Sequence, residues 1–201
     1  MSVHKKRYAM VVDLRRCIGC QTCQVVCKNE NGVPLGVWRS WVKQIEKGET
    51  PCVRNSFVPS LCNNCKRPIC VTVCPVKASY QREDGIVEID PHLCIGCRYC
   101  MAACPYDVRF IHPIHKVADK CNWCAHRIDR GLVPACVEAC VAGALIFGDI
   151  NDRESEVFKL THNNPVQRMK PEMATFPQTY YIGLDGDAVD ARGGAEWKAS
   201  E

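Results

Sequence analysis

The sequence predicts an α+β fold of two nested, loop-rich units with short strands and helices, followed by an extended C-terminal tail. Three observations predict it. Cysteine supplies 17 of 201 residues, a density at which cross-links replace part of an apolar core. The cysteines fall into four tight groups rather than being spread along the chain. The groups alternate between two spacings, which marks an internal duplication.

Group one is Cys17, Cys20, Cys23 and Cys27, spaced C-x2-C-x2-C-x3-C. Group two is Cys62, Cys65, Cys70 and Cys74, spaced C-x2-C-x4-C-x3-C and followed by Pro75. Group three, Cys94, Cys97, Cys100 and Cys104, repeats the first spacing and precedes Pro105. Group four is Cys121, Cys124, Cys136 and Cys140, spaced C-x2-C-x11-C-x3-C. Only Cys52 is left over, and it reads as a free thiol. The stretch from Val12-Asp13 to Cys17-Ile18-Gly19-Cys20 recurs as Ile89-Asp90 to Cys94-Ile95-Gly96-Cys97. Groups two and four each carry an alanine four residues past the last cysteine, Ala78 and Ala144.

Short apolar runs at Tyr8–Asp13, Ile86–Ile89, Val108–Ile111 and Leu145–Gly148 read as strands. The three residues before each fourth cysteine form a helical turn, because positions four apart share a face. A following proline ends that helix. Beyond Asn151 the cysteines stop; Asp152–Thr161 reads as a short helix and Asn163–Glu201 as a proline-punctuated tail. Its cluster Phe176, Tyr180, Tyr181 and Ile182 points to a segment lying along a partner.

So many cysteines imply either a disulfide framework or reduced thiolates on metal. No apolar stretch near the N-terminus forms a signal-peptide core, which favours metal. No segment approaches about 18 consecutive apolar residues, so no membrane span is expected. The net charge of +4, from 26 basic and 22 acidic residues, is too small and scattered to indicate nucleic acid. Neither a nucleophilic triad nor a phosphate-binding glycine loop stands out, so no substrate site is expected. Trp123 reads as a shield over a metal group, and His112, His115 and His126 as surface or capping residues.

A C-x2-C-x2-C loop can wrap three irons of a cubane [4Fe–4S] cluster, while the fourth cysteine points away to a neighbouring cluster. Glycine in Cys-Ile-Gly-Cys suits a loop whose backbone approaches the inorganic core closely. Two such runs and two looser ones account for sixteen ligands with no remainder. Four zinc sites are the rival, but structural zinc seldom takes four cysteines from so short a run.

The crossover rule and the alternating order suggest two ferredoxin-like halves of the bacterial two-cluster type. Residues 1–50 and 110–150 form an outer half, residues 51–109 an inner half inserted into it, and residues 151–201 a helix and partner-binding tail. Cluster 1 then takes Cys17, Cys20, Cys23 and Cys140; cluster 2 takes Cys27, Cys121, Cys124 and Cys136. Cluster 3 takes Cys74, Cys94, Cys97 and Cys100; cluster 4 takes Cys62, Cys65, Cys70 and Cys104. Pairing group one with two and three with four stays open on sequence alone.

The chain resembles the iron–sulfur (beta) subunits of the dimethyl sulfoxide, polysulfide, thiosulfate and tetrathionate reductases. The resemblance rests on Tyr8–Asp13 before group one, Cys27-Lys28-Asn29-Glu30-Asn31, Cys62-Asn63-Asn64-Cys65, Cys104-Pro105-Tyr106-Asp107 and Val133–Glu138. It implies a non-catalytic electron-transfer subunit with four [4Fe–4S] clusters. Its partners would be a molybdenum or tungsten bis-pterin catalytic subunit and an integral membrane, quinone-reactive subunit of an anaerobic respiratory complex. The outer half would face the catalytic subunit, and cluster 4 would lie nearest the quinone. The resemblance further implies a peripheral place on the cytoplasmic membrane. The periplasmic face, reached by co-export with a signal-bearing partner, is favoured over the cytoplasmic one. The alternative function is a free-standing soluble polyferredoxin.

Overall fold

A computed structural model describes residues 5–186. The part of the expected tail from residue 187 onward lies outside the described residues. In chain order the elements are β1 (Tyr8–Asp13), α1 (Thr22–Glu30), β2 (Ser40–Lys47), β3 (Arg54–Leu61), α2 (Ile69–Thr72), β4 (Ser79–Gln81) and β5 (Val87–Ile89). There follow α3 (Tyr99–Ala102), β6 (Phe110–Ile111), β7 (Ala118–Asp119), α4 (Ala125–Ile128), α5 (Ala135–Glu138), β8 (Leu145–Asp149), α6 (Glu156–Asn163), β9 (Val166–Gln167) and β10 (Thr179–Ile182).

The fold is α+β. One four-stranded sheet runs in the order β8-β1-β10-β9, and three two-stranded antiparallel ladders pair β2 with β3, β4 with β5 and β6 with β7. Strand β1 is central because its Ala9, Met10, Val11 and Val12 are all solvent-inaccessible, one set on each face of the sheet. Met10 and Val12 face the cysteine-bearing core with Val58, Ile86 and Trp123. Ala9 and Val11 face a smaller cluster closed by Val157 of α6. Ser155 caps α6, its Oγ accepting the Phe158 N–H at 3.1 Å.

The duplication is visible in the backbone. Gly19 and Gly96 share a left-handed conformation, φ +70° and +67°, and the residues capping α1 and α3, Gln21 and Arg98, do so too at φ 60° and 65°. α2 and α5 are each entered through a proline, Pro68 and Pro134.

Two expectations need correction. Of the aromatic cluster of the tail, Tyr180, Tyr181 and Ile182 are buried in the chain's own sheet, where β10 pairs in parallel with β1 and Val12 lies opposite Tyr181, while Phe176 stays exposed. Burial of three large side chains on a central strand outweighs any gain from leaving them for a partner. The boundary expected between residues 50 and 51 falls at the tip of the β2–β3 hairpin, whose eight residue pairs run from Ser40↔Leu61 to Lys47↔Arg54. Strand β3, expected in the inner half, therefore belongs with β2. Cys52 sits at that tip as an exposed free thiol.

Candidate metal centre

The cysteines are drawn together across long stretches of sequence. Cys17, Cys20, Cys23 and Cys140 line one cavity, with about 350 Å³ of empty space. Cys27, Cys121, Cys124 and Cys136 line a second of about 420 Å³. Cys62, Cys65, Cys70 and Cys104 line a third of about 350 Å³. The three spaces are alike in size. In the remaining set Cys97 is exposed, Cys74 and Cys94 are half-buried, and Cys100 is buried. Cys100 lies on α3, which packs on the α2 turn that Cys74 follows.

Local structure explains the placement. Cys23 and Cys27 are one turn apart on α1: Cys27 borders the second cavity beside Cys124, while Cys23 stands in the wall between the first and second, next to Cys17 and Cys140. The Cys-Ile-Gly-Cys loop is pressed onto the hairpin: a Cβ on Gly19 would meet the Phe57 ring at 2.4 Å. A Cβ on Gly96 would meet the Lys116 carbonyl at 2.6 Å. Backbone amides point at sulfur in several places. Ala144 N–H donates to Cys140 Sγ at 3.2 Å, Trp123 N–H to Cys121 Sγ at 3.4 Å, and Ala118 N–H to Cys94 Sγ at 3.4 Å. Ser79 N–H donates to Cys74 Sγ at 3.5 Å.

Side chains add to this. Asn31 Nδ2 stands 3.7 Å from both Cys27 Sγ and Cys124 Sγ. Arg39 fixes that amide by donating to Asn31 Oδ1 at 2.8 Å, and is itself held by Asp119 at 2.8 Å. Trp41 and Ser40 of β2 and Pro59, Ser60 and Leu61 of β3 close the second cavity. Sequence reasoning missed this hairpin, although Gly48 and Pro51 between two runs rich in Val, Ile and Phe carried its signal.

Burial pushes the Cys23 thiol up to about 12, with Cys17, Cys140 and Cys20 adding to it. Burial likewise raises Cys65 to about 12, with Cys62 next in effect. Cys121 and Cys136 are raised further by burial and by the neighbouring thiols. Thiolates packed this way need positive charge among them, which iron supplies.

The polar atoms at the cavity walls test the fit. Among the described residues, eight have a buried side-chain polar atom with no hydrogen-bond partner, and six of these line the second and third cavities. Ser40 Oγ, Trp41 Nε1 and Trp123 Nε1 border the second; Asn63 Nδ2 and Arg109 Nη1 border the third. Such orphans are rare and call for a partner. An iron–sulfur core held there would offer acceptor sulfurs to donors of this kind. Among the described residues no three His, Cys, Asp or Glu side chains meet closely enough for one metal ion. Zinc at Zn–S of about 2.3 Å would need its thiolates within about 4 Å of each other.

Fold and site thus define an iron–sulfur protein, rich in cysteine tetrads enclosed by short helices and ladders. A profile of the 4Fe-4S dicluster domain family matches residues 53–150. The sequence is 50% identical over 185 residues to a tetrathionate reductase subunit of Salmonella typhimurium, covering 90% of this protein and 74% of that one. It is 41% identical over 194 residues to a polysulfide reductase chain of Wolinella succinogenes, covering 95% and 98%. It is 40% identical over 224 residues to a dimethyl sulfoxide reductase iron-sulfur subunit, named as putative, of Halobacterium salinarum, covering 96% and 84%. The protein belongs to this family of reductase iron–sulfur subunits, and its role is electron transfer rather than catalysis. Among the described residues no helix is long and apolar enough to cross a membrane.

The sites share walls and near neighbours. The first and second cavities share Cys23, Pro59 and Leu145 as a common wall. Cys62 of the third cavity acts electrostatically on Cys121 of the second. Cys62 also shares one buried core cluster with Cys121 and Cys136, so the Cys62 set lies near the second cavity. Strand β3 is the cause, since it runs from the outer cavities straight into Cys62.

Proposed function

We propose that the chain holds four [4Fe–4S] clusters and conducts electrons between a molybdenum or tungsten bis-pterin catalytic subunit and a quinone-reactive membrane subunit. Clusters 1, 2 and 4 would be held by the three cavity tetrads. Cluster 3 would be held by Cys74, Cys94, Cys97 and Cys100, which are what remains of groups two and three. The reading carries with it two nested ferredoxin-like halves, because each proposed site joins group one to group four or group two to group three. The observation that supports it most is the coincidence of thiols and unpartnered buried donors at the same cavity walls.

Clusters held there would supply one-electron redox chemistry. The residues do the rest. Trp41, Trp123 and the β2–β3 hairpin keep water from the outer pair. Asn31, Asn63 and Arg109 offer N–H groups toward sulfur, which favours the more negative, reduced state. The exposed ends, Cys20 with Ile18 and Cys97 with Ile95, present apolar contact surface where electrons enter and leave.

Anaerobic iron and sulfide analysis with EPR of the reduced protein tests the count. About sixteen irons per chain is expected; a fully loaded preparation with far fewer would sink the reading. Copurification from membranes with a pterin-containing subunit is the expected association, and a soluble, solitary protein would favour the polyferredoxin alternative. The membrane face we propose is periplasmic. Labelling of the complex by an impermeant reagent in intact spheroplasts tests it, and labelling only after lysis would place it on the cytoplasmic side.

A further inference from the structure

We infer that Arg109 is a shared redox-tuning residue, a buried guanidinium set between the two inner cysteine sets that makes both of their clusters easier to reduce. The inference rests on the four-cluster reading above.

Arg109 is 2% exposed and directly precedes β6. Its Nη2 donates to Ser79 Oγ at 3.0 Å, while its buried Nη1 has no hydrogen-bond partner. No carboxylate is paired with it among the described residues. Burying a cation without an anion is costly, and such groups are retained where a negative charge offsets them.

Both inner sets lie within its reach. Arg109 lines the cavity of Cys62, Cys65, Cys70 and Cys104. Its charge acts on Cys70 and Cys62 of that set and on Cys100 of the other. Ser79 makes the tie physical: its hydroxyl accepts from Arg109 while its N–H donates to Cys74 Sγ, which also belongs to the other set. The second buried cation, Lys120, is arranged differently. Its Nζ donates to the carbonyls of Val87 and Cys121, so peptide oxygen satisfies it. Arg109 has only one oxygen partner, and its free N–H is left for sulfur.

The direction follows from charge. Reduction adds one electron to a cluster that is already net negative with its four thiolates. A fixed neighbouring cation stabilises the reduced state more than the oxidised one, so the potential rises. No proton need move, because the guanidinium stays charged.

The test is an anaerobic, EPR-monitored redox titration of the holoprotein, with dithionite as reductant and Cys-to-Ser variants assigning each signal. For Arg109→Gln the oxidised-to-reduced ratio at fixed potential should rise at least tenfold at both inner clusters, equivalent to a fall of about 59 mV for a one-electron couple. The outer two should not move, and Arg109→Lys should restore most of the shift. Unchanged inner potentials, a lysine variant that behaves like glutamine, or an equal shift at all four sites would overturn the inference. Fewer than four clusters in the unaltered protein would instead defeat the reading beneath it. Should Arg109→Gln lose iron, nitrogen-15 arginine in the unaltered protein gives the answer. Pulsed EPR of the reduced inner clusters should show nitrogen-15 hyperfine coupling at both, and its absence would refute the role.

Discussion

Asp13 shows how one side chain anchors a ligand loop. It ends β1 at 4% exposure and accepts three hydrogen bonds from Arg15: from the backbone N–H at 3.1 Å, from Nε at 2.9 Å and from Nη2 at 2.8 Å. Those bonds hold its carboxyl below the usual carboxylate range. The unfolded chain therefore takes up a proton first as pH falls. The contribution is complete above the ordinary carboxylate value of about 3.9 and fades only as pH drops through the lower, folded one. Asp13→Asn should cost about 1–2 kcal/mol, allowing for the exposure of Arg15. Anaerobic denaturation midpoints should show the same loss at pH 7 and pH 5.5; a loss that shrinks markedly by pH 5.5 would contradict the assignment. Ligands can be tested residue by residue too. Cys140→Ser should alter the EPR signal of the cluster held by Cys17, Cys20 and Cys23. An altered group-four signal, with that one intact, would mean the ligands pair differently.

At the level of elements, the two that matter most beyond the cysteine loops are β10 and the β2–β3 hairpin. β10 lies between β1 and β9, and Tyr181 at its centre is wholly buried, donating its hydroxyl to the Pro59 carbonyl at 3.2 Å. One side chain thereby ties the central sheet to the hairpin that roofs the outer cavities. Tyr181→Ala removes a large buried ring and should destabilise by about 3–5 kcal/mol. The expected readout is a lower denaturant midpoint for bleaching of the holoprotein, with the outer clusters lost first. Tolerance of this change would return the strand to the role of a partner-binding tail.

Across the whole molecule, the order of the sites is the testable quantity. The cavities succeed one another from the Cys17 set to the Cys27 set and, through the core shared by Cys121 and Cys62, to the Cys62 set, and the order we propose puts the Cys94 set last. Spin coupling in the fully reduced protein should follow that order. Cys65→Ser, which removes a ligand from the third cavity, should relieve broadening on both neighbours, the Cys27 and Cys94 sets. Cys97→Ser should leave the outer pair untouched. Broadening of the outer pair that depends on Cys97 and not on Cys65 would invert the row.

Much of this protein was legible in its sequence, because ligand chemistry imposes local spacing. Four thiolates around a small core demand tight loops, backbone at close approach and a helical turn before the last cysteine; groups one and three display these with a glycine in the loop, and groups two and four share the helical turn. The strands at Tyr8–Asp13 and Leu145–Gly148 were readable from their apolar runs, and β1 follows its reading residue for residue. Tertiary structure alone decided which groups share a cavity, because Cys17 and Cys140 meet only through the β1–β8 pairing. It also decided that Tyr180, Tyr181 and Ile182 belong to the chain's own sheet, and that Arg109 stands unpaired between two sets of sulfur. Spacing along a polypeptide fixes what a short loop can bind, whereas enclosure and electrostatic company depend on residues far apart in sequence, and only folding brings those together.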